Sequence, residues 1–289
     1  MSSSTSRPYG SAESRRGCPF VVDALVLATL PYYLGLGAVV GLLAGLLGIG
    51  GGLIIVPGLL WIFSTQAVTD ARLIHLAVGT SLAVILLTAM ASVRGHQRQG
   101  AVLWPVVLGL SPGLLLSGVG GALFAGQLSS RALTLIFAIF ALLVALVMVL
   151  DLRPRASRHL PPRSGLTLTG LGIGALSTLV GIGGGSLTTP YLLWCNISLR
   201  QAIATSAACG LPIACAGSGT YLLMGLDVPG LPPGSSGYIY WPAVAGIAAS
   251  SMLLAPRGAS LTHRLPVYWL KKAFALLLVV VALRLLVSA

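Results

Sequence analysis

The sequence predicts an all-α polytopic membrane protein, and three observations carry that expectation. Apolar types make up 56% of the 289 residues and charged types only 8%, where a soluble domain carries roughly 25% charged residues. The mean hydropathy is +0.97. The apolar residues also fall in long runs, and a run of about 20 crosses a bilayer as a helix. A cytosolic enzyme, a disordered chain and a disulfide scaffold are excluded, because so few charges cannot coat a soluble globule. The length allows about 8–10 transmembrane or re-entrant helical segments.

Taken in order, residues 1–19, rich in Ser and Arg, read as a disordered tail. A first transmembrane repeat is expected over 20–150. Its opening run, 20–47, breaks at Gly48-Ile49-Gly50-Gly51-Gly52 and resumes from Leu53 to Phe63. Runs follow at about 75–93, 101–126 and 132–150. Residues 151–164 form a basic linker loop with Arg153, Arg155, Arg158 and Arg163. A second transmembrane repeat is expected over 165–289. Its first run breaks at Gly181-Ile182-Gly183-Gly184-Gly185, and runs at about 201–224, 238–256 and 266–288 complete it.

The halves match residue by residue. Gly41 to Pro57, set against Gly174 to Pro190, is identical at nine of 17 positions. Further on, Ala77-Val78-Gly79-Thr80-Ser81 matches Ala202-Ile203-Ala204-Thr205-Ser206. Trp104-Pro105 matches Trp241-Pro242, and Phe140 to Leu143 matches Phe274 to Leu277. Four matches in the same order mean an internal duplication. Glycine-broken apolar segments at matching positions point to a secondary transporter with its site where the broken pieces meet.

These residues resemble the TauE/SafE family of sulfite exporters. The likeness rests on the A-G-x-x-G-x-G-G-G-x-x-x-x-P and S-x-x-x-G-x-G-G-G-x-x-x-x-P pair, ending at Pro57 and Pro190, and on the paired Thr-Ser. It covers about 35–288, with departures in the second copy at Ser177, Thr178 and Ala204. The resemblance implies export of small sulfur-containing anions: sulfite, thiosulfate, sulfoacetate or related organosulfonates.

Physical chemistry gives the glycines a matching task. Three adjacent glycines sit poorly in a helix, but they let the chain turn and approach a ligand closely. A short helix starting after each turn has unpartnered N–H groups, which in hydrocarbon must be satisfied, and a positive dipole end that suits an anion. Pro57 and Pro190 are expected about one turn inside those helices. Gly50, Gly51, Gly52, Gly183, Gly184 and Gly185 are therefore expected to form an anion cradle near the midplane. Ser186, Thr188 and Thr189 and the intramembrane hydroxyls Thr80, Ser81, Thr205 and Ser206 are candidate donors to it. His75 and Arg200 align with each other, five residues before Thr80 and Thr205, and are the candidate basic groups.

The expected partners are a small anionic substrate and the lipid bilayer of the inner cell membrane, with room for a homo-oligomer. The net charge of +12 reads as topology and anion attraction, not as a nucleic-acid footprint. The four cysteines form no CxxC pair and no His lies at ligand spacing, so neither a metal nor another cofactor is called for. Gly217-Ser218-Gly219 resembles a nucleophile turn but has no base in reach, so the reading is not an enzyme. The alternatives are a non-transporting anchor or assembly subunit, or a permease for an unrelated small anion.

Two topologies satisfy the positive-inside rule. Parallel halves with the N-terminus inside place ten Lys and Arg inside and seven outside. Inverted halves with the N-terminus outside place eleven inside and six outside. The inverted form is favoured, because it brings two glycine tips to one anion from opposite faces.

Overall fold

The computed structural model describes residues 19–47, 51–64, 72–150, 159–261 and 267–288. Gly50, the tail 1–18 and most of the basic linker lie outside the described residues.

The described chain is helical almost throughout. Helix α1 (Pro19–Leu47) precedes the first glycine run and α2 (Gly52–Ser64) follows it. Next come α3 (Leu73–Arg98), α4 (Trp104–Gln127) and α5 (Ser130–Val149). The second half repeats the order: α6 (Arg163–Val180), α7 (Gly185–Trp194), α8 (Leu199–Gly225), α9 (Trp241–Leu261) and α10 (Val267–Ser288). Local chemistry sets several ends. Ser129 and Ser198 accept N–H bonds as N-caps of α5 and α8. Pro105 stands in the first turn of α4, where a missing N–H costs nothing.

Among the described residues, α3, α4, α5 and α8 are long and apolar enough to cross a membrane. Leu108, Leu116 and Phe124 on α4, Ile139, Leu143 and Leu146 on α5, and Leu276 and Val280 on α10 are exposed. Such apolar surface needs lipid around it.

The pairing of helices follows the repeat. The α3–α8 pair runs antiparallel through the centre. A methyl at Gly79 would sit 3.1 Å from Tyr221, one at Gly217 2.9 Å from Leu82, and one at Gly210 3.8 Å from Ala89. Helix α1 packs parallel to α9, with Gly41 against the Ser251 backbone and Gly246 against Tyr33. Helix α4 packs parallel to α6 in the same way, with Gly109 against Leu166 and Gly121 against Ala175 and Thr178. Small residues let these backbones approach, as expected where packing rather than water drives helix association.

The short helices fold back. Gly51 lies against Val40 and Gly58 against Leu36, so α2 returns along α1. Tyr191 meets Thr169 (3.4 Å), so α7 returns along α6. Pro57 and Pro190 are each the sixth helical residue, about one turn inside, and each there removes one helical hydrogen bond. A difference from the sequence expectation is a two-stranded hairpin, β1 (Ser235–Ser236) paired with β2 (Ile239–Tyr240), just before α9.

Candidate functional site

The second glycine turn sits at the crossing of α3 and α8. Helix α6 ends at Gly181, which adopts the left-handed conformation (φ 71°, ψ 33°) that favours glycine. The N–H groups of Gly181 and Ile182 both donate to the Ser177 carbonyl, the latter at 2.8 Å. Ser81 Oγ of α3 reaches across and donates to the Gly181 carbonyl (2.8 Å). On the other side, Gly184 lies against the Ser206 carbonyl and the Gly210 N–H of α8; a methyl there would be 3.2 Å from each. Gly183 faces Ile85. The start of α2 closes the third side, where a methyl at Gly52 would lie 2.6 Å from the Gly181 oxygen and 2.8 Å from Ile182 Cα. The two glycine breaks thus touch, and only glycine fits the contact.

Hydroxyls surround this turn. Thr189 Oγ1 and Ser206 Oγ share a 2.7 Å hydrogen bond. Ser186 is half-buried in the first turn of α7. Ser177 Oγ and Thr188 Oγ1, four residues before Gly181 and four after Gly184, are buried without a hydrogen-bond partner. Gly184 is the N-cap of α7 and has no side chain to cap it, so the dipole end of α7 faces the turn.

Of the residues singled out from sequence, the structure gathers Gly52, Gly183, Gly184, Gly185, Ser81, Ser186 and Ser206 around this turn. Gly51 begins the α2 side, and Gly50 lies outside the described residues. Thr80 and Thr205 are adjacent in sequence to the gathered serines but point elsewhere. The Tyr240 N–H donates to Thr80 Oγ1 (3.0 Å), and the Leu103 N–H donates to Thr205 Oγ1 (3.1 Å). Each threonine holds the chain entering the Trp-Pro helix of the opposite half, which explains why Thr-Ser and Trp-Pro recur together.

His75 and Arg200 are not brought together. They lie at opposite ends of the α3–α8 pair, roughly 35 Å apart along α3 at about 1.5 Å per residue. His75 is buried; its Nε2 is 3.0 Å from the Ala125 carbonyl, so that nitrogen carries the proton. Its ring lies 5.5 Å from that of Tyr238. Arg200 is exposed and donates to Gln99 Oε1 (3.3 Å). It borders an open cleft of about 270 Å³ lined also by Gly100, Ala101, Ser198 and Gln201.

Sequence reasoning gave no part to Tyr221 and Tyr238, and read Ser177 only as a departure of the second repeat from the first, whereas Thr188 already stood beside Ser186 as a donor. Ser218, the core of the nucleophile-like triplet, is buried and donates to the Ala214 carbonyl. Among the described residues, no three His, Cys, Asp or Glu come together as metal ligands would.

The chain is similar to known membrane proteins along most of its length. A probable membrane transporter protein of Haemophilus influenzae is 41% identical over 249 residues, covering 86% of this chain and 94% of the relative. A probable membrane transporter protein of Methanocaldococcus jannaschii is 32% identical, over 62% of this chain and 67% of the relative. The Bacillus subtilis probable membrane transporter protein YdhB is 24% identical, over 82% and 91%. No solved structure matches. Residues 33–285 match the family described as Sulfite exporter TauE/SafE, and with the duplicated glycine breaks, the Thr-Ser clamps and the apolar helices on the same chain, this multi-pass membrane protein belongs to that family.

Proposed function

We propose that the chain exports a small sulfur-containing oxyanion, sulfite or a related organosulfonate, across the inner cell membrane by alternating access around the second glycine turn. The observation that carries the reading is the wedging of that turn between α3 and α8, with the dipole end of α7 and several hydroxyls facing it. Neutral N–H and O–H donors in a dry site hold an anion without a buried cation.

The halves, 20–150 and 165–289, are read as inverted repeats. Support comes from the antiparallel α3–α8 contacts and from the crossed α1–α9 and α4–α6 pairs. In that arrangement Arg94, Arg98, the four arginines of the central loop, Arg200, Arg257, Arg264, Lys271 and Lys272 share one side. The positive-inside rule makes that side cytoplasmic. The Arg200 cleft then collects anions from the cytoplasm, and its charge raises their local concentration.

Proteoliposomes test the reading. Sulfite should cross wild-type vesicles with saturation, and Gly184→Val, which forces a branched side chain against Ser206 and Gly210, should abolish the flux while the protein still inserts. Absence of flux and of binding for sulfite, thiosulfate and sulfoacetate alike would leave a non-transporting subunit, or a permease for another anion, as the better account.

A further inference from the structure

The two halves share the glycine break, but the residues around it differ in one consistent way. At the shift of 133 that aligns the breaks, Ser177 corresponds to Ala44, Thr178 to Gly45, Ser186 to Leu53, Thr188 to Ile55 and Thr189 to Val56. Each of these five hydroxyls on the segments flanking the second turn has a counterpart without one beside the first. Leu53, Ile55 and Val56 are wholly enclosed by other apolar groups.

Two of the hydroxyls behave unlike their neighbours. Ser117, Thr178, Thr220 and Ser250 each donate to the carbonyl four residues back in their own helix. That is the ordinary way for a hydroxyl to satisfy itself in an apolar helix. Ser177 and Thr188 are also helical, at 1% and 0% exposure, yet neither hydroxyl has a partner. Buried polar groups are nearly always paired, so an unpaired one calls for a partner or a reason. Their position says where it belongs. The Ser177 carbonyl takes the first N–H groups of the turn, so the turn closes over residue 177. The Thr188 N–H donates to the Gly184 carbonyl (2.8 Å), which puts Thr188 one turn into α7.

We propose that the oxyanion subsite is one-sided: the second glycine turn holds the ligand, with Ser177 and Thr188 as its specificity-determining donors, and the first turn is an apolar closing wall. The inference rests on the transport reading above and deepens it. The ligand it fits is a compact group with several oxygens on one centre, such as an SO3 group, because the two unpartnered hydroxyls flank the turn along the chain, Ser177 about one turn before it and Thr188 about one turn after. The first turn contributes Gly52, which packs against Gly181 and Ile182, and contributes no donor side chain.

Sulfite binding to the purified full chain in nanodiscs, measured by calorimetry, tests this. Ser177→Ala and Thr188→Val should each weaken sulfite affinity by about ten-fold or more, as expected for loss of a hydrogen bond to a charged ligand. Neither should lower the melting temperature without ligand, since the lost hydroxyl has no protein partner. Thr178→Ala, whose hydroxyl is already bonded to Gly174, is the neighbouring control and should bind sulfite as wild type does. If wild type binds sulfite and both variants bind it equally well, the one-sided subsite is wrong while the transport reading stands. Equal weakening by Thr178→Ala, or a lowered melting temperature in the unliganded variants, also overturns it, because the hydroxyls would then be structural. If wild type binds none of sulfite, thiosulfate and sulfoacetate, both readings fall.

Discussion

The two ends of the α3–α8 pair are equivalent by the internal repeat and opposite in chemistry. At one end Arg200, His96 and Ala101 border or adjoin an open cleft. At the other, the repeat puts His75 in place of Arg200, Tyr221 in place of His96 and, by the register of the two Trp-Pro pairs, Tyr238 in place of Ala101. There the space is filled. Tyr238 packs on His75 and, edge-on at 6.4 Å, on Tyr221, and its N–H donates to the Tyr221 carbonyl (3.2 Å). The difference teaches that a duplicated backbone fixes positions, and that side-chain volume decides which end is open. One methyl at Ala101 leaves a cleft where a phenol at Tyr238 leaves a plug.

Four experiments bear on this comparison. The largest effect is all-or-none. In a cysteine-free background, Gln99→Cys and Asp227→Cys place single exposed thiols in equivalent loops of the two halves. They should be labelled from opposite faces of the membrane; labelling from the same face means the two ends are not related by inversion. Next in size is the plug. Tyr238→Ala should destabilise the detergent-solubilised protein by roughly 3–5 kcal/mol in thermal unfolding, the usual cost of emptying a buried aromatic site. A loss below about 1 kcal/mol would mean that Tyr238 is not packed as described.

The clamps test what the ends have in common. Thr80→Val and Thr205→Val should each cost about 1–3 kcal/mol, since each leaves a backbone N–H, buried at Tyr240 and half-buried at Leu103, without an acceptor. The two losses should be similar, and a large inequality would show that the symmetry of the clamps is only geometric. The smallest effect belongs to the open end. Arg200→Gln should leave stability unchanged and slow sulfite flux a few-fold at low salt. The deficit should fade near 1 M salt, where screening falls to about 3 Å. A deficit that persists there would give Arg200 a direct contact role.

Much of the site was readable from residue order, and the reasons can be named. Gly181 to Gly185 announce a break because glycine is costly in a helix and cheap in a turn. The pairing of Thr-Ser with Trp-Pro in both halves announced a shared task, although its nature was not visible. That task is a hydrogen bond between residues 160 apart, Thr80 and Tyr240, and between residues 102 apart, Thr205 and Leu103. Likewise, alignment of His75 with Arg200 suggested a common anion role, whereas the fold buries one and exposes the other.

Sequence alone determined the membrane class, the helices, their glycine breaks and the duplication, because these depend on apolar run length and on backbone preferences that act within a few residues. Only the tertiary structure decided which hydroxyls are already bonded and which are left over. Thr178 and Ser177 are neighbours with the same functional group, yet one donates to Gly174 and the other to nothing. It also decided that the first glycine run packs on the second, through Gly52 and Gly181, and that one end is plugged. These outcomes depend on where distant helices meet in a low-dielectric interior, where an unmet hydrogen bond is costly and a single side chain fills or leaves a cleft.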